Sequence, residues 1–233
     1  MNFPFFFCEN FDYSSTLVLD PDTSRHVAQV LRMQPGEKLH LTDGKGHLAL
    51  AAITDADKRQ CSVRVLDLEL IPPPPARIII GISLLKKPAR FEWFLEKAAE
   101  IGVSEIIPIR CMRTEKQQFR KERTEQILHS AMLQSRQVYR TMIQDVMDLK
   151  SLFKVVNAST RWIAHCEEDQ GATIPKASPQ GDTIILIGPE GDFTKEEIEL
   201  AMINGYQPAS LGDTRLRTET AGIVAAVLMK FGN

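Results

Sequence analysis

The chain has 233 residues, 43% hydrophobic and 25% charged, with a formal net charge of -2. That length carries one sizeable domain or two smaller ones, each with a core of its own. No apolar run approaches the ~18 to 20 residues that span a bilayer, and the opening "MNFPFFFCEN" has neither a basic stretch nor a cleavage site. A soluble cytosolic protein without anchor or signal peptide is therefore expected. Cys8, Cys61, Cys111 and Cys166 include no C-x-x-C pair and the five histidines are scattered, so reduced thiols are expected and no metal site is supported.

Charge is unevenly spread. Residues 1–75 sum to -3, residues 76–160 to +6 and residues 161–233 to -5. Within the basic middle, "RCMRTEKQQFRKER" (110–123) holds six cations and two anions, a patch suited to phosphate backbones or, equally, a solvated helix face.

In chain order, "TSRHVAQVLRM" reads as a helix. "KLHLTDGKGHLALAAITDA" and "QCSVRVLDLEL" read as short alternating strands with a turn at Asp43-Gly44. These elements describe a small β-rich domain. The prolines of "IPPPPAR" (71–77) cannot donate to a sheet or continue a helix, so they mark the expected boundary: a first domain over 1–71, a linker over 72–76 and a second domain over 77–233.

Beyond the prolines, uniformly apolar strands alternate with helices: "RIIIGISL", "ARFEWFLEKAAEIG", "SEIIPIR", "KERTEQILHSAMLQSRQVY", "TRWIAHC", "TIILIG", "TKEEIELAMING", "PASLG" and "TETAGIVAAVLMKF". That order predicts an α/β domain whose mostly parallel sheet is covered by helices on both faces. The last helix is apolar almost all round, and burial within the subunit or packing on a second chain would both account for it.

"IGPEGDF" (187–193) falls between a strand and the helix opened by the capping box of Thr194 and Glu197. Its paired glycines let bare backbone approach a ligand at the carboxyl edge of the sheet. Glu190 and Asp192 argue against phosphate as that ligand, and neither G-x-G-x-x-G nor a P-loop occurs where a nucleotide site would require it. A second loop, "LGDTRLRTETAG" (211–222), should reach the same edge and bring Arg215 and Arg217 with it. An ordinary tight turn before a capped helix is the alternative reading of the first loop.

The pair "LIGPEGDFTKEEIELA" and "SLGDTRLRTETAGIVAAVL" resembles the SPOUT methyltransferases, specifically the RsmE-like family of small-subunit ribosomal RNA uridine N3-methyltransferases. "RHVAQVLRMQPGEKLHLTDGKG" is similar to that family's N-terminal PUA-like RNA-binding domain. "FEWFLEKAAEIGVSEIIPI" and "LQSRQVYR" look like its central blocks, so the resemblance covers most of the chain.

The resemblance implies a C-terminal trefoil knot, a homodimer through the knot region and bent S-adenosylmethionine among the knot loops. Ile187, Gly188, Pro189, Glu190 and Gly191 would form one wall of the donor site, and Leu211, Gly212, Leu216, Thr218 and Thr220 another. Arg217 would act in catalysis and Arg215 is the second candidate, with an ion pair to Glu219 or Asp213 as its structural alternative. RNA phosphates would be held by Arg25, Arg32, Arg110, Arg113, Lys116, Arg120, Lys121, Arg123 and Arg215; His26 serves equally well as a packed helix residue. Asp192 stands where a small residue is more usual and would touch the donor or help cap the helix. The implied substrate is 16S ribosomal RNA within the assembled small subunit. Other SPOUT specificities, guanine N1 or ribose 2'-O methylation of transfer RNA, and an RNA-binding module without catalysis are the competing readings.

Overall fold

A computed structural model describes residues 3–9, 16–115, 118–165, 172–173 and 180–232. Its contacts divide the chain into two compact units, Met1–Pro73 with Met132–Arg140, and Pro74–Ala131 with Thr141–Asn233.

The first unit is a five-stranded sheet built from β1 (Phe5–Phe7), β2 (Thr16–Val18), β3 (Lys38–Thr42), β4 (His47–Asp55) and β5 (Ser62–Leu70), in the order β1-β3-β4-β5-β2. The β3–β4 hairpin turns at Asp43-Gly44, where Asp43 Oδ1 accepts the Lys45 amide at 2.8 Å and Gly44 takes φ 70°. Alternate side chains such as Leu39, Leu41, Ala49, Ala51, Val63 and Val65 close one core on Val27 and Met33.

The expected helix over 23–33 begins earlier and changes pitch. Asp20 caps α1 (Pro21–Arg25), accepting the amides of Asp22 and Thr23 at 3.0 Å each, and His26–Val30 continues as a wide π turn. The short strands β1 and β2 lie outside the periodicity argument, because three residues are too few to show a period.

The segment 132–140 completes this unit from afar. The Val138 carbonyl accepts the Gly46 amide at 2.9 Å, the Gly44 carbonyl accepts the Arg140 amide at 3.0 Å, and the Tyr139 hydroxyl donates to the Ile71 carbonyl at 2.7 Å.

The second unit contains β6 (Ile78–Ser83), α2 (Pro88–Ile101), β7 (Glu105–Arg110), α3 (Lys121–Gln134), whose last turn belongs to the first unit, β8 (Met142–Ile143), β9 (Met147–Asp148), α4 (Leu149–Val155), β10 (Thr160–Ala164), β11 (Ala172–Thr173), β12 (Thr183–Ile187), α5 (Lys195–Ile203), β13 (Gln207–Ser210) and α6 (Thr218–Phe231). Its sheet is parallel in the order β11-β13-β10-β12-β6-β7-β8, with β9 also on β7. Both faces are covered. Ile78, Ile80, Ile82, Ile185 and Ile187 face the core shared with α2 and α6, while Ile79, Ile107, Ile184 and Leu186 face the core shared with α4 and α5. That is why the strands read as continuous apolar runs.

Helix boundaries follow local chemistry. Pro88 opens α2 and Gly102, at φ 91°, ends it. Thr194 and Glu197 form the capping box of α5, and Gly205 follows at φ 82°. Helix α3 stops at Gln134, short of the expected Tyr139, and Arg136 takes φ 58°. Among the described residues no helix is long and apolar enough to cross a membrane.

Candidate functional site

In a parallel sheet every strand delivers its carboxyl end to one edge. At that edge, the loops after β12 and β13, the end of β10 and the start of α6 enclose a cavity of about 710 Å³. This volume falls within the usual ~300 to 1,000 Å³ of small-molecule sites. Ile187, Gly188, Pro189 and Glu190 line one side; Leu211, Gly212, Leu216 and Thr218 line the other, with Arg215 and Arg217. Gly191 and Thr220 stand in the same segments but outside the lining.

The walls are cross-braced. The buried Thr218 hydroxyl donates to the Gly188 carbonyl at 3.0 Å, tying the first turn of α6 to the loop after β12. A Cβ on Gly188 would approach the Phe193 ring and amide at 3.0 to 3.2 Å, so a side chain here would push the Phe193 ring or backbone aside by a few tenths of an ångström. Gly212 holds φ 115°, which a side chain resists even where space is open.

Arg90, near the start of α2, spans both walls. Its guanidinium lies 3.1 Å from Glu190 Oε1 and 3.6 Å from Glu219 Oε1. Glu219 is buried, and its Oε2 has no hydrogen-bond partner among the described residues. Sequence spacing pointed Glu219 toward Arg215; the fold supplies Arg90, 129 positions earlier in the chain, instead.

Arg215 and Arg217 are exposed, and no ion pair to a described residue occupies either guanidinium. Arg217 occupies the N-cap position of α6 without a side-chain cap, at φ -70° and ψ 154°. Its charge therefore stays available at the cavity.

Asp192 lines the cavity at φ 65°, with its Oδ1 accepting the Phe193 amide at 2.8 Å. Capping of α5 falls to Thr194 and Glu197, so the carboxylate of Asp192 shapes the loop rather than the helix end. Residues without a sequence signal join the lining: Ala164 and His165 at the end of β10, Ala209 and Ser210 in β13, Asp213 and Thr214, and Ala221. Position at the carboxyl ends of "TRWIAHC" and "PASLG" was the clue available for the first four.

The expected RNA contacts are dispersed. Arg113 donates to the carbonyls of Gly191 at 2.7 Å and Phe193 at 3.2 Å, so it fastens the loop after β12. Lys121 pairs with Asp145 at 2.9 Å and Arg123 with Glu92 at 3.1 Å. Arg110 and Arg120 are exposed. Lys116 lies outside the described residues. In the first unit Arg25 pairs with Asp22, Arg32 is exposed at φ 54°, and His26 packs edge-on against Phe6.

Among the described residues no group of His, Cys, Asp and Glu is arranged to hold a metal ion. Burial pushes the Cys111 thiol up to about 12, an inert core group.

Two family models match the chain: an RNA methyltransferase domain over residues 72–230 and an RNA methyltransferase PUA domain over residues 19–66. The ribosomal RNA small subunit methyltransferase E of Mycobacterium tuberculosis is 29% identical, with 92% of this chain and 86% of that protein covered. Among solved structures, a protein from Porphyromonas gingivalis described as a probable rRNA methyltransferase is 38% identical, with a TM-score of 0.83 and coverage of 96% and 95%. A ribosomal RNA small subunit methyltransferase E from Neisseria gonorrhoeae bound to S-adenosyl methionine is 26% identical, with a TM-score of 0.84 and coverage of 98% and 97%. With its second unit matched almost end to end, the chain belongs to the RNA methyltransferase family that this domain defines, and it carries the family's PUA domain in its first unit.

Proposed function

We propose that the protein transfers a methyl group from S-adenosylmethionine to N3 of a uridine in small-subunit ribosomal RNA. The observation that carries this reading is the cavity at the carboxyl edge, walled by two glycine-bearing loops and supplied with two arginines that no described acid neutralises. The residues fit the donor: the volume is sufficient, the backbone at Gly188 is bare and closely packed, and the carboxylate of Asp192 in the lining suits a cationic sulfonium better than a phosphate.

When bound, the donor supplies an electrophilic methyl on a positively charged sulfur. The chain's contribution is alignment and charge. Holding reactants in near-attack geometry is worth ~7 to 11 kcal/mol, which the braces Thr218–Gly188, Arg113–Gly191 and Arg90–Glu190 serve by fixing the donor loop. Uridine N3 keeps a proton until its loss is favoured, and a guanidinium beside the base's carbonyl oxygens stabilises the anion. Arg217 takes that role, with Arg215 next to it. Arg32, Arg110 and Arg120, exposed and paired with no described acid, are phosphate contacts in this reading, and Arg25 joins them by exchanging Asp22 for a phosphate.

The same proposal includes a cytoplasmic homodimer acting on the assembled subunit. Val227 and Phe231 of α6 are 41% and 64% exposed although the helix is apolar almost throughout, which supports a second chain on that face. Sedimentation as a monomer at micromolar concentration would remove the dimer. Mass mapping of methylated nucleosides in ribosomal RNA, with and without the protein, tests the activity. Arg217→Ala is expected to abolish transfer while calorimetric donor affinity stays within a few-fold; near-normal turnover would take Arg217 out of the mechanism.

A further inference from the structure

A second cavity, of about 560 Å³, lies in the same unit between the β6–α2 connection and residues 118–124. Its floor is apolar and buried, made by Leu84, Leu85 and Phe91, and Phe119 stands half-buried beside them. Above that floor sit Arg120 and the Arg123–Glu92 pair. Glu92 neutralises Arg123 through two contacts of 3.1 and 3.3 Å. Arg120 is exposed and pairs with no described acid, as does Lys87 at the N-cap of α2. The cavity thus has an apolar floor and, in its lining, one cation, Arg120, that no described acid compensates.

Its position relates it to the donor cavity. Leu84 and Leu85 follow the carboxyl end of β6 as Gly188 follows that of β12, and the two strands are parallel neighbours. Residues beyond the carboxyl ends of these two neighbouring strands therefore line both cavities, and Arg90, two residues from Pro88 on α2, reaches Glu190 of the donor loop.

We propose that this slot binds an unpaired nucleotide flanking the methylated one, its base against Phe119 and the apolar floor and its phosphodiester on Arg120. The inference rests on the proposed function. A base presented to the donor must leave its stack, at a cost of a few kcal/mol. A second base site on the same edge restores stacking that the displaced neighbour loses, and single-stranded RNA is held by this combination of aromatic face and cation. A purely apolar protein segment would fill the floor and leave Arg120 without a counter-charge.

The test is steady-state kinetics with small-subunit ribosomal RNA, free or assembled, in whichever form the wild type methylates. Phe119→Ala is expected to raise KM for RNA about 5- to 100-fold, leaving KM for S-adenosylmethionine and the salt dependence unchanged. Arg120→Ala is expected to lower the slope of log KM against log salt by about 0.7, the contribution of one phosphate on a single strand. Phe119→Leu keeps an apolar side chain and removes the aromatic face, so a raised KM for RNA in that variant carries the test even where Phe119→Ala fails to fold. Wild-type KM for RNA in the Phe119 variants, even with the slope lowered in Arg120→Ala, or a change in oligomeric state at unchanged RNA KM, would overturn the proposal. A wild type that methylates neither RNA form would instead overturn the proposed function, so the two failures are distinguishable.

Discussion

Arg90→Ala should damage the donor site although Arg90 itself does not line it. Arg90 is 29% exposed and faces Glu219, 8% exposed, at 3.6 Å and Glu190, 47% exposed, at 3.1 Å. Breaking a fully buried ion pair from one side costs ~3 to 5 kcal/mol, whereas an exposed pair is worth ~0 to 1. The Glu219 contact lies nearer the first limit and the Glu190 contact nearer the second. With the longer Glu219 distance discounted, the expected loss is about 2 to 3 kcal/mol, a fall in Tm of about 4 to 12 °C for a chain of this size. Released from Arg90, the Glu190 wall should also weaken donor binding, by about tenfold for each 1.4 kcal/mol of lost order. The cycle of Arg90→Ala, Glu219→Gln and the double variant separates the terms. Because Glu219→Gln removes the stranded charge, the double variant should regain part of the stability lost by Arg90→Ala alone. Denaturant unfolding and calorimetry with S-adenosylmethionine read both quantities. Stability within 0.5 kcal/mol of wild type, with unchanged donor affinity, would refute the brace.

The other braces give smaller and more local expectations. Thr218→Val removes the hydroxyl that donates to the Gly188 carbonyl at 3.0 Å and should cost about 1 to 3 kcal/mol of unfolding free energy, while Thr218→Ser stays near wild type. Gly188→Ala places a Cβ at 3.0 Å from the Phe193 ring; about 1 to 3 kcal/mol of strain is expected, with donor affinity falling in calorimetry. Cys111 gives a pH dependence. Its thiol moves from 9.0 in the unfolded chain to about 12 in the fold, so between these values the folded state holds more protons. Stability should then fall as pH rises above about 9, by roughly 1.4 kcal/mol per pH unit from this group. Cys111→Ala should flatten that limb of a denaturation-versus-pH series; an unchanged slope would assign it to other groups.

The second unit was largely legible because its physics is local and repeated. Apolar runs of five or six residues, a proline at the start of α2, glycines after α2 and α5, and one capping box together locate the strands and helices around the donor loops. The parallel order then places "IGPEGDF" and "LGDTRLRTETAG" at one edge without any pairwise information. Five strands escaped this reading for the opposite reason: β1, β2, β8, β9 and β11 have two or three residues each and are defined by their partners.

What spacing cannot supply is the identity of partners distant in sequence, and at this site those partners decide which cations are available. Glu219 stands two positions from Arg217 and four from Arg215, yet Arg90 meets it. Arg113 belongs to the basic run expected to hold RNA, yet its guanidinium fastens Gly191 and Phe193, 78 and 80 positions away. The two observations act together. One arginine from α2 and one from beyond β7 satisfy the acid and the carbonyls of the donor walls, which leaves Arg215 and Arg217 uncommitted where the cavity opens. A guanidinium engaged by Glu219 would have its charge compensated before any base arrived; the one at Arg217 keeps its full field for an oxygen of the incoming uridine. The catalytic assignment thus depends on Arg90, and Arg90→Ala, which leaves the Glu219 charge uncompensated two and four positions from Arg217 and Arg215, should lower turnover beyond the loss in donor affinity.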